Sequence, residues 1–122
     1  MRYEKGTHAL VEIWVKDGKL LDNILFIKDL MKKAIKESGL KKIYVKFHKF
    51  QPQGLTAFAL LVTSHISFHS WPEHKYATLD IYACDKEEKV LKALDVFLKA
   101  LKPTKVKKEI IKRGYIYNGN SQ

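Results

Sequence analysis

The residues best equipped for chemistry lie together between Ser64 and Glu73, in the segment SHISFHSWPE. This segment contains three serines, two histidines, a tryptophan, a proline and a glutamate, and the one cysteine of the chain, Cys84, follows eleven positions after Glu73. Hydroxyl, imidazole, carboxylate and thiol groups are the usual nucleophiles and proton-transfer groups of enzymes. The segment therefore indicates a reactive site.

Two common uses of such groups do not fit the spacing. His65 and His69 would lie about 13 Å apart on an extended strand, too far to share an ion, and no other spacing of His, Cys or Asp resembles a structural metal site. We therefore predict no metal. A serine hydrolase built on Ser64 and His69 is disfavoured because the G-x-S-x-G turn is missing, and glycine-rich phosphate loops are missing as well.

Another reaction suits a serine held in a constrained turn. Its hydroxyl can attack the carbonyl carbon of the preceding peptide bond, which moves the acyl group from nitrogen to oxygen. An imidazole can then remove the Cα proton and eliminate the ester, and the remaining dehydroalanine hydrolyses to an N-terminal pyruvoyl group. This ketone forms a Schiff base with an amino acid and accepts electrons while CO₂ leaves, after which a thiol can protonate the product carbon.

The apolar pattern predicts the elements that must hold this segment. Alternating apolar residues indicate strands at 8–16, Lys42–Phe50, Leu55–Val62, Tyr76–Cys84 and Lys105–Tyr115. Apolar steps of three and four indicate helices from Leu20 to a stop at Gly39, and over Lys86–Leu101. The order β-α-β-β-β-α-β predicts an α/β fold, an α+β two-layer sandwich with two helices on one face of an antiparallel or mixed sheet. The final residues, NGNSQ, are expected to fray.

One face of this predicted sheet has an unusual composition. Strand parity turns polar, charged and aromatic side chains away from the helices, namely Glu12, Trp14, Lys46, His48, Phe50, Thr56, Phe58, Leu60, Asp80, Tyr82 and Cys84. Such a face is too apolar to be an ordinary solvent-exposed surface and too polar to be a hydrophobic core. We expect it to meet a second copy of the sheet, to hold a ligand, or both. The strand at Leu55–Val62 is apolar throughout, which predicts a central strand covered on each side.

Length and charge exclude several classes of protein. The 122 residues predict one domain over 1–122. No apolar run is long enough to cross a bilayer, and the first residues, MRYEKGTH, lack a signal-peptide core, so we expect a cytoplasmic protein that does not enter the membrane. The net charge of +10 comes from 21 Lys and only 2 Arg, spread over both halves. This pattern fits solvated helix faces or a protein adapted to heat better than nucleic-acid binding, and an anionic partner stays an open alternative.

The segment Ser64–Glu73, preceded by Phe50-Gln51-Pro52-Gln53-Gly54 and followed by Cys84, resembles the short prokaryotic S-adenosylmethionine decarboxylases, which are pyruvoyl-dependent and made as proenzymes. The resemblance runs from about His8 to Gly114, and the string S-H-x-S-x-H-x-W-P-E is specific for that family. It implies decarboxylation of S-adenosylmethionine for spermidine synthesis. It also implies a homodimer whose sites lie between facing sheets.

The resemblance assigns processing roles to particular residues. Ser64 matches the serine that becomes the pyruvoyl cofactor, so self-cleavage between Thr63 and Ser64 would give a β chain of 1–63 and an α chain of 64–122. His69 matches the histidine of self-processing, and Thr56 stands where the family has a hydroxyl residue that aids it. Cys84 matches the catalytic proton donor.

The resemblance also implies a set of residues that bind the substrate. Glu73 matches the carboxylate that holds the ribose hydroxyls. Phe50 and Trp71 belong to the motifs around the adenosyl pocket, and Ile66 is implied to bind the substrate as well.

Two departures from the family pattern keep alternatives open. The residue before the family's serine is usually Glu but is Thr63 here, and the segment Val15–Gly18 does not match the Gly-Cys-Asp turn common after the first strand. Thr63 favours the hypothesis of an uncleaved, non-catalytic paralogue. The same chemistry on arginine or ornithine is a further alternative, although Glu73 favours a nucleoside. A lysine-rich nucleic-acid binder ranks last.

Overall fold

The computed structural model describes residues 3–115, 117 and 119. Within them the chain forms six strands and two α-helices, in the order β1 (Tyr3–Trp14), α1 (Ile24–Ser38), β2 (Lys42–Lys49), β3 (Leu55–Leu61), β4 (Ser64–Trp71), β5 (Tyr76–Ala83), α2 (Glu87–Leu101) and β6 (Lys105–Tyr115). Short 3₁₀ turns lie at Gly18–Asp22 and Pro72–His74. Of the end that was expected to fray, Asn118 and 120–122 lie outside the described residues.

All six strands belong to one sheet with the order β2-β3-β4-β5-β1-β6, and every neighbouring pair is antiparallel. The predicted two-layer class is confirmed. The predicted order was short by one strand, because Ser64–Trp71 is itself a strand and lies between β3 and β5. Only two of its four helix-facing positions, Ile66 and Phe68, are apolar, and serines occupy the other two, so its apolar signal is weak in the sequence.

The core lies between the helices and one face of the sheet. The side chains that alternate toward the helices on the inner strands are fully or almost fully buried, among them Ala9, Val11, Ile13, Ala57, Ala59, Ile66, Phe68, Leu79 and Ile81. Phe68 stacks on Phe97 of α2 with ring centroids 6.2 Å apart. Burial of each large apolar side chain stabilises the fold by about 1.5 to 3 kcal/mol, so this layer fixes which face of each strand points outward.

Local capping explains where helix α1 begins and ends. The Asn23 side chain accepts a hydrogen bond of 3.0 Å from the backbone N–H of Phe26, and Gly39 ends the helix in the left-handed region with φ of 82°. The stop at Gly39 is confirmed. The start predicted at Leu20 is wrong, because Leu20 and Leu21 lie in the 3₁₀ turn before the Asn23 cap.

The second face of the sheet, which we call the open face, carries the side chains that point away from the helices. Along each of the strands β3, β4 and β5, these side chains alternate with the buried side chains of the core, as the sequence pattern predicted. Strand β3 is not covered on both sides within the chain, however, since Phe58 and Leu60 on its open side are 40% and 43% exposed. The apolar side chains on the open side of β3 therefore form part of the outer surface, and no second layer formed by the described residues of the same chain covers them.

No helix among the described residues is long and apolar enough to cross a membrane.

Candidate active site

A two-residue turn places Ser64 at the start of β4. Val62 and Thr63 connect β3 to β4, and Leu61 pairs with Ser64 across the hairpin. Thr63 adopts a φ of 62°, in the left-handed region that β-branched residues rarely enter. A residue held in this region costs about 1 to 3 kcal/mol and persists only where the surrounding structure enforces it. Ser64 is therefore next to a strained residue.

The carbonyl group of Thr63 is already hydrogen-bonded. It accepts the backbone N–H of Cys84 at 3.0 Å, which ties the hairpin turn to the residue that follows β5. The Ser64 hydroxyl donates to the Val62 carbonyl at 3.2 Å, and the Thr63 hydroxyl donates to the same carbonyl at 2.5 Å. An N–H aimed at a carbonyl oxygen stabilises negative charge that develops there. The arrangement thus suits attack of a hydroxyl on the Thr63 carbonyl carbon.

A second group of residues lines a pocket of about 370 Å³ at the other end of the open face. The pocket includes most of the predicted site residues, namely Phe50, Thr56, His69, Trp71 and Glu73. The Thr56 hydroxyl and His69 Nδ1 lie 3.1 Å apart across β3 and β4. This hydrogen bond orients the imidazole and leaves Nε2 as the atom that can act on a substrate.

Aromatic rings extend this pocket along the open face. Trp71 lies 6.4 Å from His69 and 5.6 Å from Tyr76, measured between ring centroids, and the Tyr76 hydroxyl donates to Glu12 Oε1 at 2.7 Å. Burial, followed by the Glu12 carboxylate, raises the pKa of Tyr76 to about 12. Tyr76 is therefore a neutral donor at ordinary pH, and its bond to Glu12 holds the ring that supports Trp71.

Asp22 holds the loop that carries Phe50, a role that the sequence did not reveal. Its Oδ1 accepts the Gly54 N–H at 2.8 Å and contacts Lys49 Nζ at 2.9 Å, while Phe50 N–H donates to the Gly54 carbonyl at 2.8 Å. Burial by itself would raise the pKa of Asp22, but the hydrogen bonds from Gly54 and Lys49 outweigh it and lower that pKa. Asp22 and Gly54 are 32 residues apart in the chain, so no local sequence pattern could predict this contact.

The two groups of site residues do not meet within one chain. Ser64 and His69 are five residues apart on β4, so they lie about 16 Å apart at an extended rise of 3.3 Å per residue. Strand parity also turns them to opposite faces, since Ser64 is buried on the helix side and His69 lies on the open face. The turn end, with Thr63, Ser64 and Cys84, is therefore separate from the pocket end.

The expected role of Ile66 in substrate binding is not supported by its position. Its side chain is fully buried and faces the helices, so it packs in the core and does not reach the pocket. The motif does not specify which face of the strand the Ile66 side chain occupies, because that depends on how the strand is placed in the sheet.

Two other features of the described residues bear on the choice of site. Within the part of the chain that the structure describes, no cluster of three or more His, Cys, Asp or Glu side chains could hold a metal ion. A larger groove of about 680 Å³ lies between α1 and β2, and its lining is mostly lysine and apolar side chains. It contains no residue of either group of site residues.

Comparisons of the sequence with a family model and with known proteins all point to the same family. A family model described as S-adenosylmethionine decarboxylase matches residues 7–114. The chain is 40% identical over 111 residues to an S-adenosylmethionine decarboxylase proenzyme of Sulfurihydrogenibium sp., which covers 91% of this chain and 84% of the relative. It is 36% identical over 117 residues to the proenzyme of Aquifex aeolicus, covering 96% of this chain and 87% of the relative.

A solved structure agrees with these sequence matches. The crystal structure of the adenosylmethionine decarboxylase from Aquifex aeolicus superposes with a TM-score of 0.89 at 34% identity. The match covers 99% of this chain and 100% of that chain.

We predict that Asp22→Asn destabilises the chain by about 1 kcal/mol at pH 7, because it loses the ion pair with Lys49 and weakens the bond to Gly54. The folded-state pKa of Asp22 is lowered, so its contribution is present above the unfolded carboxyl pKa of about 3.9 and is lost as the pH falls through the folded value. The difference between the two proteins should therefore shrink at acidic pH. Urea unfolding at pH 7 and pH 3 measures it.

This comparison needs an unchanged covalent state, so both proteins carry Ser64→Ala. Asp29→Asn, at an exposed position of α1, is the matched control and should leave stability nearly unchanged. A difference for Asp22→Asn that stays constant from pH 7 to pH 3 would contradict the assigned role.

Proposed function

Because the chain belongs to the S-adenosylmethionine decarboxylase family, we propose that it removes CO₂ from S-adenosylmethionine by means of a pyruvoyl group made from its own Ser64. The product is decarboxylated S-adenosylmethionine, the aminopropyl donor for spermidine. One observation carries the proposal: the Thr63 carbonyl, next to the Ser64 hydroxyl, is held by the Cys84 N–H at a left-handed turn.

The proposed maturation starts at this turn. The Ser64 hydroxyl attacks the Thr63 carbonyl carbon, and the Cys84 N–H stabilises the charge that develops on the oxygen. The C–N bond then breaks and leaves an ester between Thr63 and the Ser64 oxygen. Removal of the Ser64 Cα proton by an imidazole eliminates the ester and frees the Thr63 carboxylate. Hydrolysis releases ammonia and leaves the pyruvoyl group at the start of chain 64–122.

Thr63 takes the place of the family's glutamate, and its conformation compensates for the missing carboxylate in this proposal. The strain of its left-handed backbone is released when the Thr63–Ser64 bond breaks, which favours cleavage. Its hydroxyl, bonded to the Val62 carbonyl, helps to hold the turn before cleavage. The competing hypothesis of an uncleaved paralogue rests on the same substitution, so the covalent state of the purified protein decides between them.

The division of the site residues supports a dimer that pairs two open faces. The turn end and the pocket end lie at opposite ends of one face, so a two-fold axis through its middle sets each turn end against the partner's pocket end. Each of the two resulting sites would combine the Thr63–Ser64 peptide bond and Cys84 at the turn end of one copy with Thr56 and His69 from the other. Because the Ser64 side chain is buried on the helix side in the uncleaved chain, the partner would approach the peptide bond of the turn rather than this side chain. The exposed Phe58 and Leu60 would be buried by the same contact.

The pocket end suits the adenosyl part of the substrate. Phe50 and Trp71 offer aromatic surfaces for a purine, and the exposed Glu73 carboxylate can accept hydrogen bonds from both ribose hydroxyls. A pyruvoyl group supplies the electrophilic carbonyl that draws electrons from the substrate as CO₂ leaves. The thiol of Cys84 then gives its proton to the carbon that lost CO₂ and regains one from solvent.

The covalent state gives the first test. We expect mass spectrometry of the purified protein to find two chains of 63 and 59 residues, the second blocked by a pyruvoyl group, and Ser64→Ala to stay whole. A single intact mass for the unmodified sequence after long incubation at the working temperature of the protein would overturn the proposal in favour of the uncleaved paralogue.

Mixed dimers test whether two copies share each site. Ser64→Ala and His69→Ala should each stay uncleaved when produced alone, because every site then lacks one essential group. When the two variants are produced together, the His69→Ala copy should be cleaved, since it keeps Ser64 and receives His69 from its partner. Mass spectrometry separates the products, and absence of cleavage in the mixture would contradict a shared site.

Substrate choice is tested at Glu73. We expect Glu73→Gln to raise KM for S-adenosylmethionine by about tenfold or more, because a carboxylate hydrogen bond contributes about 1.5 to 3 kcal/mol, while cleavage proceeds as before. Glu88→Gln on α2 is the control. CO₂ release from arginine and ornithine should stay at background, and release from either amino acid above that from S-adenosylmethionine would identify the alternative substrate.

A further inference from the structure

Tyr82 lies at the turn end of the open face and is not part of the family motif identified in the sequence. It is the second residue before Cys84, so strand parity directs both side chains to the same face. The Cys84 thiol donates a hydrogen bond to the Tyr82 hydroxyl, with sulfur and oxygen 3.5 Å apart. The backbone N–H of Cys84 meanwhile holds the Thr63 carbonyl, so this thiol sits beside the proposed cleavage point.

The phenol ring of Tyr82 is held on several sides. At Gly6 of β1, an added Cβ would lie only 2.8 Å from both the Tyr82 hydroxyl and its Cε1, so the lack of a side chain there makes room for the ring. The Arg113 guanidinium lies 4.9 Å from the ring centroid. The rings of His8 and His65 approach at 5.6 and 5.8 Å.

We propose that Tyr82 is a positioning residue whose hydroxyl accepts the Cys84 S–H and fixes the direction in which this thiol points. The consequence for catalysis rests on the proposed function, in which Cys84 protonates the product carbon. A thiol at the end of a short side chain otherwise samples several staggered rotamers, and only some of them aim the proton at a given atom. The hydrogen bond to a fixed phenol selects one of them.

The electrostatic surroundings keep Tyr82 suited to this role. The hydrogen bond from Cys84 and then burial raise the pKa of Tyr82, although the Arg113 charge opposes them. Burial is also the main reason why the pKa of His8 is lowered, so this neighbour favours its neutral form. The phenol therefore stays neutral at ordinary pH and remains an acceptor for the thiol.

The S–H stretching band tests the hydrogen bond directly. Because the chain has one cysteine, the Raman spectrum contains one S–H band, and its frequency falls when the thiol donates a hydrogen bond. In the Ser64→Ala precursor, Tyr82→Phe should move this band to higher frequency. Tyr76→Phe removes a hydroxyl from the same strand that bonds to Glu12 instead, so it should leave the band unchanged.

Kinetics of the cleaved enzyme test the catalytic consequence. Tyr82→Phe should still mature into two chains, but its kcat should fall by about threefold to tenfold, the loss expected for one hydrogen bond between neutral groups, while KM stays unchanged. A purely structural role for the ring would leave both the band and kcat as they were, because phenylalanine preserves the packing.

The spectrum and the kinetics can each contradict a different part of the proposal. An S–H band that does not move in Tyr82→Phe overturns the proposal whatever the enzyme does. A band that moves with an unchanged kcat overturns the catalytic role of the contact. Since the spectrum is recorded on the uncleavable precursor, it decides on the hydrogen bond even if CO₂ release from S-adenosylmethionine is not observed, which would refute the proposed function instead.

Discussion

Strand β4 is extended, and its length determines which reactive groups of the chain can approach each other. Hydrogen bonds to β3 and β5 hold both of its edges, so it cannot fold back. Ser64 at its first position and His69 at its sixth therefore stay about 16 Å apart, and the pleat turns them to opposite faces. In the proposed dimer of two open faces, the second copy would supply the His69 that one chain cannot bring to its own turn.

Because side chains alternate between the two faces of a strand, one strand can contribute to both stability and chemistry. On β4, Ile66 and Phe68 belong to the buried core, whereas His65 before them and His69 after them lie on the open face. The serine at the end of this core-facing row is also satisfied, since the Ser70 hydroxyl donates to the Leu21 carbonyl at 2.8 Å and accepts the Leu55 N–H at 3.1 Å. A buried polar group costs little when it is fully hydrogen-bonded.

The hairpin turn joins local strain to a distant support. Thr63 has an unfavourable backbone conformation for a β-branched residue, and the pairing of β3 with β4 together with the Cys84 N–H enforces it. Cys84 thus contributes its backbone to the turn and its thiol to the contact with Tyr82. Both functions depend on β5 ending beside the start of β4, so a shift in register between these strands would disturb them together.

Much of the fold followed from the sequence, because burial on one side leaves a periodic apolar pattern. Strand β6 and the stop of α1 at Gly39 were predicted at their observed positions. The start of α1 was not, because Leu20 and Leu21 continue the apolar steps while the capping bond of Asn23 begins the helix later. The strand Ser64–Trp71 was missed since chemistry, not burial, dominates its composition.

By itself, the sequence determined the two-layer class, the family and the set of groups able to react, because residue types and short motifs are local properties. The roles of Ser64, His69 and Cys84 stay predictions that follow from the family motif in Ser64–Glu73 and the cysteine after it. Only the tertiary structure decided that Ile66 faces the core, that Asp22 holds the loop of Phe50, and that Tyr82 receives the Cys84 thiol. These facts depend on strand register and on contacts between distant parts of the chain, which packing of the whole sheet sets and no local pattern records.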